Sequence, residues 1–360
     1  MIAHVISNFE ELGGSEASLI KVLNSYKNEE VIVVSLKSVS QKIKCLIKNN
    51  KIQYISLRIC SIKSFVLGLI AFIKLIEKFS PKFVFAWMYH ANFFCSLSKL
   101  LSGNSFLLVW GVRHSLDDFK GEKYSIKLLI STGRFLQFTA HKVFYCSLAS
   151  LRQHSAFRYS DIQKSIYVPN GYPVRVFDFK DITKRDLVIG FAGRFHDAKD
   201  LPLFFCMCRI LSKKGFSIKM KLCGRGICID NAELLDIISQ SGVDHDRVDL
   251  LGEQSDMTKF YSSLDIFVLT SKTEGFPNVL AEAILCSVPV FSTDVGDSAT
   301  IINNDSYISP VKNAVQLASN IEKFMEKSKE QRYAECKKIH ENVSNRFSLQ
   351  RFYDSYKGRW

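Results

Sequence analysis

Two glutamates are the residues best placed by type and spacing to do chemistry. Glu274 and Glu282 are separated by seven residues within 271–283, a stretch that follows an apolar, strand-like run. Gly275 lets the backbone approach a ligand closely, and Pro277 suits the first turn of a helix. Amides at such a helix start attract anions, and carboxylates accept hydrogen bonds from hydroxyl groups. The stretch therefore predicts a site for a ligand that carries both phosphate and hydroxyl groups.

The residues expected to line this anion site surround the helix start: Gly275, Phe276, Pro277, Asn278 and Val279. The plainest alternative is an ordinary turn from strand to helix that carries a surface glutamate.

A pair of cations forms a second candidate site. Arg194 and Lys199 come directly after a strand-like run that ends near Gly193. Arginine offers a planar fork and lysine a movable point charge, which together suit a diphosphate. In the alternative interpretation the two cations pair with Asp197 and Asp200 at the surface.

Two glycine-containing turns follow other strand-like runs. Gly13 and Gly14 open a predicted helix, and the amides there can reach a phosphate or a sugar. Gly224 lies in a Gly-x-Gly turn, but the third glycine of the dinucleotide fingerprint is replaced by Ile229. We therefore interpret both turns as ligand-lining loops and not as a dinucleotide site.

Three further residues are candidates because they follow strands of the first half. His90 comes just after the fourth predicted strand, and Arg113 and His114 follow the next one. A lone histidine is more often structural, so position alone leaves its role open. Arg113 and His114 are weaker candidates than His90.

The elements that must position these residues alternate between short apolar runs and helix-length amphipathic segments, the pattern of parallel sheets covered by helices. Strands are predicted near 2–7, 31–35, 53–56, 83–87, 105–110, 142–146, 165–168, 187–192, 218–223, 248–251, 265–270, 289–293 and 306–308.

The best boundary is 168–173, where two prolines and an Asn-Gly pair interrupt regular structure. It predicts one domain at 1–170, a second at 171–345, and a helix at 346–360 that packs back on the first domain. Parallel sheets bind ligands beyond the carboxyl ends of their strands, so we expect the two domains to face a shared cleft.

Charge is distributed unevenly along the 360 residues, whose formal net charge is +13. Residues 1–180 hold 24 Lys and Arg against 11 Asp and Glu, whereas the remainder is balanced. Because the cations are mixed with bulky apolar residues, we favour an anionic membrane surface as partner. A solvated surface is the alternative. Nucleic acid is not expected, since no signature of a nucleic-acid-binding motif occurs.

Location in the cell is predicted from three features. The start of the chain turns polar after Ile6, and the longest apolar run, 65–73, falls short of the ~20 residues that span a bilayer. The ten cysteines show no paired Cys-x-x-Cys units and are interpreted as reduced thiols. We expect a cytoplasmic protein that is peripheral on the inner face of the membrane.

Residues 274–283, with the continuation 289–296, resemble the Glu-x(7)-Glu signature of retaining glycosyltransferase family 4, also called glycosyl transferases group 1. Residues 190–199 are similar to the Gly-Arg...Lys motif of that family. The resemblance implies an α/β GT-B fold, with two Rossmann-like domains facing a cleft. The domain at 1–170 would bind the acceptor, with Arg113 and His114 as weaker candidates on that side, and the domain at 171–345 would bind the nucleotide-sugar donor.

The resemblance also implies roles for single residues. Glu274 would contact hydroxyls of the donor sugar, Glu282 those of the ribose, and the amides near Phe276–Asn278 the diphosphate. Arg194 and Lys199 would neutralise the leaving group. His90 would lie beside the transferred sugar.

The implied reaction moves a sugar, with retention of configuration, from a UDP- or GDP-linked donor to a lipid-linked glycan of a bacterial surface polysaccharide such as O-antigen or capsule. Neither a metal nor a cofactor is expected. The alternatives are a sugar-nucleotide epimerase on the same scaffold and a non-catalytic binding scaffold. Ser287 and Asp200 depart from the family pattern, which favours glycine at both places.

Overall fold

The computed structural model describes residues 1–27, 29–103, 105–116, 119, 121, 123–182 and 187–358. The chain divides into two compact units, Met1–Asn170 with Phe352–Trp360, and Gly171–Arg351. Arg359 and Trp360, the end of the predicted C-terminal helix, lie outside the described residues.

The first unit contains a parallel sheet with the strand order β3-β2-β1-β4-β5-β6-β7 in its described residues. The strands are β1 (Ile2–Ile6), β2 (Val31–Ser35), β3 (Ile52–Ser56), β4 (Phe83–Trp87), β5 (Leu107–Val112), β6 (Lys142–Tyr145) and β7 (Ser165–Tyr167). The helices are α1 (Gly14–Ser25), α2 (Gln41–Cys45), α3 (Ile62–Phe79), α4 (Met88–Ser102), α5 (Tyr124–Leu136) and α6 (Leu148–Ala156).

Helices cover both faces of this sheet, which explains why its central strands are apolar along their length. One core contains Phe72 of α3, Phe94 of α4 and Ile130 of α5. The core on the opposite face contains Leu19 of α1 together with Phe352, from the end of the chain.

The second unit contains a parallel sheet with the order β10-β9-β8-β11-β12-β13 in its described residues. The strands are β8 (Leu187–Ala192), β9 (Ile218–Cys223), β10 (Val248–Leu250), β11 (Ile266–Leu269), β12 (Val290–Thr293) and β13 (Ile308–Ser309). The helices are α7 (Leu201–Lys213), α8 (Ala232–Ser241), α9 (Met257–Ser262), α10 (Asn278–Leu285), α11 (Ser298–Ile302), α12 (Ala314–Glu326) and α13 (Lys329–Arg346). A last helix, α14 (Leu349–Tyr356), begins in this unit, and its residues from Phe352 belong to the first unit.

The predicted strands are present, each within two residues of its predicted ends. The largest displacement is at 105–110, since β5 begins and ends two residues later than predicted. At 306–308 a short 3-10 turn, Asp305–Tyr307, precedes β13, and the side chain of Asn304 caps this turn by accepting a hydrogen bond from the amide of Ser306 at 3.1 Å. In the described residues, no helix is both long and apolar enough to cross a membrane.

Strand order decides which candidate residues share an edge. In the second unit, the loops after β8, β9, β11 and β12 all lie at the carboxyl edge of the sheet. In the first unit, the loops after β1, β4 and β5 do the same. Each group of candidate residues is therefore gathered at the edge where parallel sheets bind ligands.

Candidate active site

The centre of the site in the second unit is an ion pair between Lys199 and Glu274. The Lys199 ammonium contacts Glu274 Oε1, and Ser271 Oγ donates to the same oxygen at 2.7 Å. The side chains of Lys199 and Glu274 are only 19% and 15% exposed, so the pair is largely shielded from water. The cation predicted for phosphate and the carboxylate predicted for hydroxyl groups are therefore brought together.

The loops that carry this pair are bonded to each other. Thr270 Oγ1 donates to the carbonyl oxygen of Lys199 at 2.8 Å. The amide of Lys272 donates to the carbonyl oxygen of Ala198, also at 2.8 Å. A second ion pair, at 2.6 Å, joins Lys272 to Asp197 across the same two loops. These bonds fix the position of the ion pair between Lys199 and Glu274.

Surface pairing of the two cations, the alternative interpretation, is wrong for Lys199. That residue contacts Glu274, and Asp197 pairs instead with Lys272. Arg194 is exposed, and among the described residues it forms no ion pair. Its guanidinium is thus available to an anion at this edge.

Helix α10 begins at Asn278, and Pro277 is its N-cap residue. Gly275 and Phe276 directly precede this cap. Within the helix, Glu282 accepts a hydrogen bond from Tyr261 at 3.0 Å. Burial, and then the charge of Glu282, raise the pKa of Tyr261 well above its usual value. Tyr261 therefore stays a neutral donor that orients the second glutamate.

Tyr172 supports the start of this helix. Its hydroxyl donates to Asn278 Oδ1, and its ring stacks on Phe276 with centroids 6.4 Å apart. The backbone of Tyr172 is held in turn, because its amide donates to Phe347 and its carbonyl accepts from Leu349. Sequence reasoning missed Tyr172, although its position in the boundary segment next to an Asn-Gly pair was a signal.

Removing the Tyr172 hydroxyl is expected to loosen the turn. Tyr172→Phe should weaken nucleoside diphosphate binding by about 3–10-fold, the effect of one lost hydrogen bond. Calorimetric titration measures it, with Tyr333→Phe, whose ring is partly exposed on α13, as control. Equal affinity of Tyr172→Phe and the unmodified protein would contradict a positioning role.

Two glycines permit the loops at this edge to meet. Gly224 (φ +136°) and Gly296 (φ +52°) both have left-handed backbones. A Cβ on Gly224 would overlap the carbonyl of Gly193, and one on Gly296 would overlap that of Gly275. The contact between Gly224 and Gly193 explains the glycine that follows β9, and Gly296 was not singled out from the sequence.

The two departures from the family pattern occupy left-handed positions. Ser287 has φ +62° and Asp200 φ +49°, which explains the preference for glycine there. Ser287 offers compensation, since its hydroxyl accepts a hydrogen bond from the amide of Asp178 at 2.9 Å. Burial raises the pKa of Asp200, the residue that follows Lys199.

The triplet Asp244-His245-Asp246 is an Asp-x-Asp sequence of the kind that can hold a metal. It lies in a 3-10 turn before β10, at the amino end of that strand. Asp244 uses its carboxylate to cap the turn, accepting from the amide of Asp246 at 3.1 Å. The triplet is therefore at the opposite edge of the sheet from Lys199 and Glu274.

In the first unit, His90 follows a strained turn. Met88 has φ +72°, an uncommon conformation for a residue with a side chain. His90 is exposed, yet loss of hydration and the positive charge of Lys37 lower its pKa. The neutral imidazole is favoured, at the carboxyl edge where it was predicted.

The start of α1 was predicted to bind a phosphate or a sugar, and a carboxylate of the chain lies close to it. Gly13 caps the helix and Gly14 is its first residue, as the sequence indicates. The carboxylate of Glu16 lies 2.6 Å from where a Cβ of Gly13 would be, so a carboxylate already lies over this glycine. Ser15 holds it there with a hydrogen bond of 2.9 Å.

Arg113 is engaged within its own unit. Its guanidinium contacts Asn170 Oδ1, donates to the hydroxyl of Tyr356 at 3.0 Å, and lies over the ring of Trp87. The backbone carbonyl of neighbouring His114 accepts from Ser150. Arg113 thus anchors the returning end of the chain, a role that local spacing did not suggest.

Part of the chain is similar in sequence to known glycosyltransferases. Residues 186–327 match the family described as glycosyl transferases group 1. The chain is 30% identical over 145 residues to the capsular polysaccharide biosynthesis glycosyltransferase CapM of Staphylococcus aureus. The matched segment is 39% of this chain and 37% of CapM. The glycosyltransferase domain predicted from the Glu-x(7)-Glu and Gly-Arg...Lys motifs is confirmed.

Two further likenesses extend the comparison. An N-acetylgalactosamine-N,N'-diacetylbacillosaminyl-diphospho-undecaprenol 4-alpha-N-acetylgalactosaminyltransferase of Campylobacter jejuni is 31% identical over 32% of this chain and 30% of its own length. The chain spans well under two thirds of both relatives. Anabaena Alr3699/HepE, solved with UDP and glucose, has a TM-score of 0.79 at 16% identity over 99% of this chain and 98% of its own. Together with the two parallel sheets, this likeness confirms the GT-B fold.

Proposed function

We propose that this chain, whose residues 186–327 form a glycosyl transferases group 1 domain, is a retaining glycosyltransferase acting in surface polysaccharide synthesis. The donor is a UDP- or GDP-linked sugar, and the acceptor is a lipid-linked glycan. The observation that carries the proposal is the shielded contact of Lys199 with Glu274 beside the start of α10.

Each part of this arrangement has a task in glycosyl transfer. Lys199 and Arg194 neutralise the charge that develops on the leaving diphosphate, assisted by the positive end of α10. Glu274 accepts hydrogen bonds from the sugar, and Glu282, oriented by Tyr261, does so from the ribose. When donor binds, Lys199 exchanges part of its contact with Glu274 for the phosphate, so both groups act in the same complex.

The first unit supplies the acceptor side, with His90 at the transferred sugar. A neutral His90 can accept or donate a hydrogen bond without adding charge. Retention can result from two successive inverting displacements or from attack on the face that the leaving group departs from. Because we assign no covalent nucleophile, the proposal takes the second route, and it assigns no general base. The lipid-linked acceptor is supported by the undecaprenol named for the Campylobacter relative, and UDP by the ligand of the Anabaena structure.

Calorimetric titration with UDP, GDP, ADP and their sugar conjugates, in buffer containing EDTA, tests the donor site. We expect one diphosphate to bind without metal, and Arg194→Ala/Lys199→Ala to weaken it at least about tenfold through loss of two charge-assisted contacts.

Product analysis separates the alternatives. Conversion of the donor sugar without any acceptor would indicate an epimerase. Absence of binding by every nucleotide would overturn the transferase proposal in favour of a non-catalytic scaffold.

A further inference from the structure

The outer face of α3 is apolar although no part of the described chain covers it. Ile62, Val66, Leu67 and Ile70 are 87%, 49%, 58% and 47% exposed. The first, second and fourth of these repeat every four residues and form a ridge about 12 Å long, and Leu67 lies beside it. A contiguous patch of exposed aliphatic side chains on a protein surface indicates an interaction site.

The orientation of this ridge is fixed by the rest of the helix. Leu69, Phe72 and Ile76 face inward and are buried in the core of the first unit. Ser61 and Ser64 form a capping box at the start of α3, where the amide of Ser61 donates to Ser64 Oγ at 2.8 Å. The ridge therefore cannot turn inward without unpacking the core.

The charged residues on the exposed side of α3 are mostly cations. Lys63, Lys74 and Lys78 are exposed there, against a single acid, Glu77. A helix with an aliphatic ridge and flanking lysines matches the chemistry of an anionic bilayer, whose headgroups attract the ammonium groups while aliphatic chains enter the acyl boundary.

The apolar part of α3 lies at its amino end, which follows β3 and so stands at the carboxyl edge of the sheet. That is the edge where His90 follows β4. Contact with a bilayer through Ile62 and Leu67 would bring this edge, and not the opposite one, to the lipid surface.

We propose that the outer face of α3 docks on an anionic lipid bilayer, with Ile62, Val66, Leu67 and Ile70 at the acyl boundary. The biological reason for docking rests on the proposed transferase function, since a lipid-linked acceptor must be reached at the same edge. Binding to lipid itself is independent of turnover.

Vesicle co-sedimentation without any sugar nucleotide tests the surface. The unmodified protein should bind vesicles of phosphatidylcholine and phosphatidylglycerol, and bind those of phosphatidylcholine alone at least about tenfold more weakly, because the lysine contacts are lost. Ile62→Glu/Leu67→Glu should lower binding to the anionic vesicles by at least about tenfold. Both side chains are exposed, so thermal unfolding should be unchanged.

A matched control carries the same two charges at the other edge of the unit. Phe135 and Phe138 are also exposed, and Phe138 lies just before β6, at the amino edge. Phe135→Glu/Phe138→Glu should bind anionic vesicles as the unmodified protein does. The proposal is overturned if the unmodified protein ignores vesicles, if only the control loses binding, or if sedimentation shows that α3 instead joins two copies of the chain.

The proposed function can fail separately. Loss of lipid binding in Ile62→Glu/Leu67→Glu with intact nucleotide binding supports the docking surface even if no sugar is transferred.

Discussion

Replacing Lys199 by methionine is expected to lower the rate of sugar transfer by about 10²–10³-fold, the usual effect of removing one group that stabilises transition-state charge. Methionine keeps the length and apolar stem of lysine, so packing against Gly193, whose Cβ position lies 3.5 Å from Lys199 Cε, is retained. What is removed is the ammonium beside Glu274. Donor hydrolysis or transfer, followed as release of nucleoside diphosphate, measures the rate.

The chain offers a matched control for this variant. Lys272 pairs with Asp197 across the same two loops, but the Asp197 side chain is 87% exposed. An exposed pair contributes about 0–1 kcal/mol, so Lys272→Met should change the rate by only a few-fold. A similar loss in both variants would mean that Lys199 acts only by joining the loops, and a rate for Lys199→Met near that of the unmodified protein would remove it from the mechanism.

The parallel-sheet architecture was predictable because buried strands are uniformly apolar. All five residues of β2 are buried, and such a run needs no knowledge of its partners to be recognised. The family pattern also favours glycine at Ser287, and the backbone there is left-handed. These features depend on local sequence.

Contacts between distant loops were not predictable in the same way. Lys199 and Glu274 are 75 residues apart, and they meet because β8 and β11 are neighbours in the sheet. Spacing within either motif carries no information about that neighbourhood. Predicting the direct pairing of these two candidate residues therefore requires the strand order.

Arg113 shows a second kind of contact that local sequence does not reveal. Its guanidinium binds Asn170 and Tyr356. Tyr356 comes from the end of the chain, 243 residues away, and reaches Arg113 because that end returns to the first unit. The position of Arg113 after β5 carries no information about this distant partner.

Gly296 lies where a single added carbon atom would overlap the backbone of the loop that carries Glu274. Gly296→Ala should reduce stability by about 2–4 kcal/mol, from a left-handed alanine and from overlap with backbone atoms that cannot rotate away. The overlapped atoms are the carbonyl oxygens of Glu274 and Gly275, so relief requires the loop to move. Because this loop carries the proposed donor contacts, nucleoside diphosphate binding should weaken at least about tenfold as well.

Gly215→Ala separates the two causes. Gly215 also has a left-handed backbone, φ +89°, but nothing lies within 4 Å of its Cβ position, and it precedes β9 at the amino edge. This variant should cost only about 1–2 kcal/mol, the conformational part, and bind nucleotide normally. Thermal unfolding and calorimetric titration of both variants give the comparison. If Gly296→Ala bound nucleotide as tightly as Gly215→Ala, the Glu274 loop could shift without consequence, and its rigid support by Gly296 would not be part of the donor site.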